Sequence, residues 1–390
     1  MAIEKTTPNS TGENLGMDRL DILVRRFEKI FLFLVPVLAV AMAMALISIF
    51  ITAMGASPLE AYSALIGGAL GDLQDIATSM NRAAPYIIVG LGVAIGFRGG
   101  IFNIGGEGQI MAGGILASIV AIYIKGIPPY IHIPLSLLAG FIGGVIWGFI
   151  PGYFFAKSGT NMIITTIMMN EIAFGVLSAL VKGPLQEPPG FFDQTYMIEE
   201  SAFLPFILPG TRLHAGIAIA VMAAVVLYIL LFRTSFGYQI RTIGENVIAA
   251  KHAGMKVFTK QIQIMIISSG LAGLAGTVEI LGAQHRLRPL FLQNYGYEAL
   301  AVAILGQSNP FGVIISGLLF GVLKTGAGSM QRATNLPMSL IDILSGIIIV
   351  FVVASGILMG LPRFLAKRQM IRADQKNPTT PQPENSAAKN

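Results

Sequence analysis

The feature that most constrains this chain is residues 30–53, a run of 24 residues without a charged side chain. Such a run is long enough to cross a bilayer core of roughly 30 Å as a helix. Charged residues make up 12% of the whole chain and hydrophobic residues 54%, whereas a soluble domain has about 25% charged residues. The sequence therefore predicts an all-α integral membrane protein.

The apolar runs predict about ten transmembrane helices. They are expected at 30–53, 83–97, 109–124, 133–156, 160–181, 213–232, 261–282, 298–308, 310–324 and 338–361. Basic residues before the first run place the N-terminus in the cytoplasm. Loop 182–212, with four acidic and two basic residues, then falls outside, and loop 233–260, with five basic and one acidic, falls inside. Eight full spans with re-entrant segments are the alternative, because spans 298–308 and 310–324 are short.

One membrane domain with two polar tails is the expected organisation. The transmembrane domain covers 30–361, between a polar cytoplasmic tail at 1–29 and a cytoplasmic tail at 362–390 that begins basic and ends disordered. The chain has no cysteines, and its four histidines lack the spacing of metal ligands, so we expect no metal site. No grouping of side chains indicates a catalytic site, and we expect the chain not to be an enzyme.

A polar stretch at 97–109 separates the second apolar run from the third. It holds five glycines together with Asn103, Glu107 and Gln109. Such residues are costly at membrane depth unless they line a cavity or bond to partners within the protein. We therefore expect a broken helix beside a transport pathway.

The pattern N-x-G-x-E occurs twice at the start of a span, at 103–107 and at 294–298. The two copies lie five spans apart, which predicts an inverted repeat of spans 2–5 and 7–10 with the pathway at its interface. The alternative is that the glycines only permit close helix packing and that the two glutamates pair internally. The residues expected to line or support the pathway are Asn103, Glu107, Gln109, Asn170, Asn294 and Glu298.

The longest predicted cytoplasmic loop, 233–260, contains the signals of a short helix at 245–253. Gly244 precedes it, Lys251 and His252 lie in its last turn, and Gly254 can adopt the left-handed conformation that ends a helix. A helix this short is unstable alone. It therefore needs a docking surface, on its own bundle or on a soluble partner.

Three stretches together resemble the ribose, nucleoside and branched-chain amino-acid permeases of bacterial ABC importers. They are F-N-I-G-G-E-G-Q at 102–109, the loop at 241–254 and Y-E-A-L-A-V-A-I-L-G-Q-S-N-P at 297–310. The first stretch is similar to the nucleoside branch, which works with a lipoprotein receptor of the basic-membrane-protein type. The resemblance implies that a coupling helix docks on an ATPase, carried by Arg241, Gly244, Glu245, Asn246, Ala249, Ala250 and Gly254.

The same resemblance implies the partners and the location. They are a cytoplasmic ABC ATPase that binds ATP and Mg, a second permease subunit, related or identical, an extracytoplasmic solute-binding lipoprotein and the lipid bilayer, with no nucleic acid. The chain itself has no G-x-x-x-x-G-K-[ST] sequence for ATP. A multi-pass position in the inner (plasma) membrane with both termini cytoplasmic follows.

Other transport functions remain open at this point. One is an ABC permease for simple sugars or branched-chain amino acids. Another is a secondary transporter driven by protons or sodium, with Glu107, Glu171 or Glu298 as the relay. An intramembrane enzyme is the third option, and no grouping of side chains supports it.

Overall fold

The computed structural model describes residues 41–289 and 291–335, and the single positions 343, 346, 347, 350, 351 and 354. The described residues within 47–349 form one compact unit. The tails 1–29 and 362–390 lie outside the described residues, as do residues 30–40 of the first expected span and most of the span expected at 338–361.

Within the described residues the chain is built from α-helices, a 3₁₀ helix (Glu200–Ala202) and a π-helix (Ile280–Gln284). The α-helices in chain order are α1 (Ala41–Ala53), α2 (Pro58–Leu70), α3 (Leu73–Arg98), α4 (Gly106–Tyr123), α5 (Pro129–Ser158), α6 (Met162–Val181), α7 (Gly216–Arg233), α8 (Ser235–Glu245), α9 (Val247–His252), α10 (Val257–Glu279), α11 (Tyr295–Leu305) and α12 (Pro310–Thr334). The expectation of an all-α membrane protein is confirmed.

Seven helices in the described part of the chain are long and apolar enough to cross a membrane, or eight if the sharply bent pair α1 and α2 counts as one span. The helix α11 is not among them, because its 11 residues extend only roughly 16 Å. The span expected at 298–308 is therefore a half helix. In this region the structure agrees with the alternative of fewer full spans and re-entrant segments.

Polar side chains at the helix starts explain several of these boundaries. Asp72 accepts a hydrogen bond of 2.7 Å from the backbone of the first turn of α3. Asn161 does the same for α6, and Asn309 for α12, where Pro310 is the first residue. Side-chain acceptors and a first-turn proline are the usual N-terminal signals of a helix.

The helices α4, α5 and α10 cross at glycines. A β-carbon on Gly273 of α10 would lie 2.8 Å from the Cα atom of Gly144 on α5. Gly113 of α4 also packs against Gly273. Glycine is needed here because the backbones approach more closely than any side chain allows. At this crossing 78% of the residues in the apolar stretches of α4 and α10 are buried. In α6 the share is only 22%, and this helix faces outward.

We predict that Gly273→Ala destabilises the protein by about 1–3 kcal/mol, the usual cost of overpacking. The matched control is Gly175→Ala on α6, where an added β-carbon meets no atom within 4 Å. The control change should alter stability by less than about 0.5 kcal/mol. Thermal unfolding of both purified variants in mild detergent measures the difference. Equal melting temperatures would contradict the crossing.

Candidate functional site

The helix α4 starts inside the bundle, after a non-helical segment that follows Arg98. Gly100 has a φ of +72°, which turns the chain, and α4 begins at Gly106 without a side-chain cap from Gly105. The predicted broken helix is therefore present at 99–105. A helix start leaves N–H groups without partners, and in a membrane these groups need partners within the protein.

The second N-x-G-x-E copy forms another helix start, and the two starts meet. Asn294 has a φ of +70° and precedes α11. A β-carbon on Gly106 would lie 3.1 Å from the Cα atom of Gly296, so the two backbones are in contact. The Glu107 carboxylate accepts the Gly296 N–H at 3.3 Å, a placement that suits a negative group at a helix N-terminus. The structure thus brings the two motifs together, while their relation as an inverted repeat stays a prediction.

Three buried amide side chains support the start of α4. Asn103 accepts the Gly105 N–H at 2.9 Å and exchanges two hydrogen bonds of 3.0 Å with Gln109. Asn170 of α6 accepts the Gly108 N–H at 2.9 Å. All three amides have partners within the chain, so they hold the helix start in place. Their contact with a solute stays a prediction.

Glu298 forms an ion pair that the sequence did not predict. Its carboxylate lies 3.3 Å from the Lys324 amine of α12 and accepts a short hydrogen bond from the Tyr86 hydroxyl of α3. Tyr86 in turn stacks on Tyr295, with ring centroids 4.1 Å apart. Lys324 interrupts an otherwise uncharged run at 310–331. A lysine within an apolar helix needs a buried acid as partner. Lys324 was therefore the residue in the sequence from which this ion pair could have been predicted.

A cavity of about 820 Å³ lies next to this ion pair. Loop 182–212, the start of α3, the π-helix after α10 and the segment before α11 contribute its walls. Asn294 is the pathway candidate that lines it. The polar side chains around it are Gln74, Thr78, Asn81, Arg82, Arg212, Glu279, Gln284, His285, Gln293, Asn294, Tyr295 and Lys324. A cavity of this size accommodates a small molecule.

Two histidines beside this cavity are neutral at pH 7. Burial, together with a smaller effect of the nearby His285, lowers the pKa of His214 to about 4. Burial also lowers the pKa of His285. His214 Nδ1 accepts the Gly216 N–H at 3.1 Å, which is consistent with a neutral ring. The cavity wall therefore gains no positive charge from either histidine at pH 7.

A second cavity of about 640 Å³ lies at the other ends of the helices, beside α8. Arg98 closes α3 here, donating to the backbone carbonyls of Gln307 and Ser308 at 3.1 and 3.0 Å. Arg241 of α8 donates to the Leu231 carbonyl at 2.5 Å. The Gly244 backbone packs against the non-helical segment between α3 and α4, next to Gly100. These contacts tie α8 to the break between α3 and α4.

The predicted short helix of this loop is shorter than expected. The helix α9 spans Val247–His252 and Asn246 caps it, accepting the Ala249 N–H at 3.0 Å. Glu245 instead ends α8, because Asn246 adopts an extended conformation. Gly254 has a φ of +77°, as predicted for the residue that stops the helix. Ala250 is fully buried, so it faces its own bundle.

We predict that Lys324→Met destabilises the protein by roughly 3 kcal/mol, because it leaves the Glu298 carboxylate without its cation. The matched variant Lys324→Met/Glu298→Gln removes both charges and should recover most of the loss, since a neutral amide still bonds to Tyr86. Thermal unfolding in detergent compares the two variants. Equal stability of the single and the double variant would show that the pair does not stabilise the fold.

Sequence comparisons with known proteins identify the family of this chain. A family model described as "Branched-chain amino acid transport system / permease component" matches residues 76–353. The guanosine ABC transporter permease protein NupP of Bacillus subtilis is 37% identical over 83% of this chain and 93% of its own length. The glucose ABC transporter permease protein TsgB13 of Haloferax volcanii is 32% identical over 82% and 87%.

A third relative, the nucleoside ABC transporter permease protein NupB of Lactococcus lactis, is 32% identical over 88% of this chain and 95% of its own length. No solved structure matches the chain. The family model and the relatives each cover most of the membrane bundle. The chain therefore belongs to the family of branched-chain amino acid transport system permease components.

Proposed function

We propose that this chain is the permease subunit of an ATP-driven importer that carries nucleosides into the cell. The observation that carries the proposal is the 37% identity over 83% of the chain to a permease named for guanosine, together with a relative named for nucleosides. A simple sugar is the second candidate solute, because another relative of comparable similarity is named for glucose.

The energy source in this proposal is an ATPase in the cytoplasm, which binds ATP and Mg. The segment α8–α9 is its docking site. Ile248 of α9 is 70% exposed and Val247 is 44% exposed, so these apolar side chains point away from the bundle. Since Ala250 is buried, its part in coupling is to seat α9, while Ile248 makes the contact with the ATPase.

A second permease chain packs against α6 in this proposal. Glu171 lies near the middle of this apolar helix and is exposed in the single chain. A carboxylate facing lipid at that depth is costly. It therefore faces a partner chain or water between two chains. The exposed apolar residues of α6, such as Ile164 and Met168, complete the contact.

The proposed location is the plasma membrane, with both termini in the cytoplasm. Five basic residues at 233–260 support a cytoplasmic position of α8 and α9. Loops 54–81 and 182–212 then lie outside, where a solute-binding lipoprotein docks. The larger cavity opens toward this outer side, because Phe206 and Arg212 of loop 182–212 belong to its lining.

The rival is an ion-driven transporter with glutamates as the relay. Glu107 is engaged with a helix start and Glu298 with Lys324. Both of these carboxylates have structural partners, and the third candidate, Glu171, lies on the face of α6 proposed to meet the second chain. This favours the ATP-driven mechanism over a proton relay.

The function is tested with transporter purified from native membranes in mild detergent and reconstituted in liposomes. We expect an ATPase and a lipoprotein to co-purify, and labelled guanosine to accumulate only with ATP. Excess unlabelled glucose should not compete. Recovery of this chain alone, with accumulation that follows a proton or sodium gradient, would contradict the proposal.

We predict that Ile248→Asp abolishes ATP-driven uptake, because a charge replaces the exposed apolar contact of α9 with the ATPase. Since the side chain touches solvent in the single chain, insertion and melting temperature should not change. The matched control is Ile131→Asp, which changes an exposed apolar residue in the first turn of α5, outside the docking segment. Loss of ATPase co-purification in Ile248→Asp alone supports docking at α9. Undiminished uptake by this variant would remove the claim.

A further inference from the structure

The larger cavity is framed by three departures from regular helix. The π-helix Ile280–Gln284 ends α10, His285 follows with a φ of 54°, and Asn294 has a φ of 70°. Single π-turns and left-handed residues other than glycine are uncommon and concentrate at functional sites. The volume of about 820 Å³ lies within the range of small-molecule sites. The geometry therefore marks this cavity as a binding site.

Most formal charges on its wall are already engaged within the protein. Lys324 pairs with Glu298 at 3.3 Å, and Arg82 donates to the Lys324 carbonyl at 3.3 Å. Glu279 accepts the Gln284 amide N–H at 2.9 Å. Arg212 is exposed to solvent. Because the Lys324 charge is balanced by Glu298 and the remaining cations, Arg82 and Arg212, are exposed to solvent, the buried part of this wall suits an uncharged solute.

The uncharged side chains of the cavity wall can bind a nucleobase, which is an aromatic ring with hydrogen-bonding groups at its edges. Gln284 uses its N–H group on Glu279, which leaves its carbonyl oxygen to accept from a solute, and Gln293 is exposed with both amide functions free to bond. Phe206 is 61% exposed and offers a face on which a base can stack. Amides accept and donate as the edges of a nucleobase do.

We propose that this cavity is a nucleoside-binding site of the permease itself, at the end of the bundle opposite to α8 and α9. The site holds the uncharged base and ribose between Phe206 and the amides of Gln284 and Gln293. The proposal rests on the proposed function, which names the solute class, and adds the place where the permease receives it.

The chain has no cysteines, so an introduced cysteine is the only one in this chain, and labelling is measured on the band of this chain after the subunits are separated. The variants are Gln293→Cys and Thr78→Cys in the cavity wall, with Glu60→Cys, exposed on α2 and outside the wall, as control. Each is introduced into the whole transporter, placed in lipid nanodiscs and labelled with a methanethiosulfonate reagent. The labelling rate is measured alone, with guanosine and with guanosine monophosphate.

We expect guanosine to slow labelling of both wall variants severalfold and to leave the Glu60→Cys variant unchanged, while the monophosphate protects weakly. If neither wall variant is protected although the wild-type transporter accumulates guanosine in liposomes, the site is wrong and the proposed function stands. Equal protection by the monophosphate would overturn the preference for an uncharged solute. Absence of guanosine accumulation by the wild type would overturn the proposed function and this site with it.

Discussion

Two helices start inside the membrane, and the N–H groups at their first turns must find acceptors within the protein. Asn103 accepts from Gly105, Asn170 from Gly108, and Glu107 from Gly296. Asn170 and Glu107 accept from helix starts that are distant in the sequence, and Asn103 lies in the non-helical segment before α4. Without them, N–H groups would face hydrocarbon at a cost of several kcal/mol each. The broken helices, and the cavities on either side of them, depend on these bonds.

Glycine permits this arrangement. The two helix starts touch through Gly106 and Gly296, and the neighbouring crossing of α4, α5 and α10 is centred on Gly273. Buried polar side chains such as Asn103, Gln109 and Asn170 lie next to these contacts, while apolar side chains face outward on α5, α6 and α7. A bundle organised in this way can hold a polar interior at membrane depth, which a transport pathway requires.

The sequence predicted the features that follow from local rules. Five glycines and three polar residues at 97–109 indicated the chain break, and the repeated motif indicated a second helix start. Gly254 was identified as the end of α9 for the same reason. Each of these signals lies within a few residues of the structure that it specifies, so neighbouring residues suffice to read it.

Contacts between distant parts of the chain were not predictable in this way. The ion pair of Lys324 with Glu298 joins two residues that are 26 positions apart on different helices, and the direction of Ala250 depends on how α9 packs on the bundle. Residues 298–308 were expected to cross the membrane, but α11 has only 11 residues and ends at Leu305, before the polar stretch 306–309. The larger cavity is lined by segments that are far apart in the sequence, and of these only the one before α11 carries a motif, through Asn294.

The central claim is that the two N-x-G-x-E helix starts meet inside the bundle and are joined by the Glu107 carboxylate. Electron cryo-microscopy of the purified transporter in a lipid nanodisc tests this most directly. We predict density for α11 as a half helix whose first turn touches Gly106, with Glu107 within hydrogen-bond distance of the Gly296 nitrogen. A continuous membrane-spanning helix through 294–305, or lipid between the two helix starts, would contradict the account.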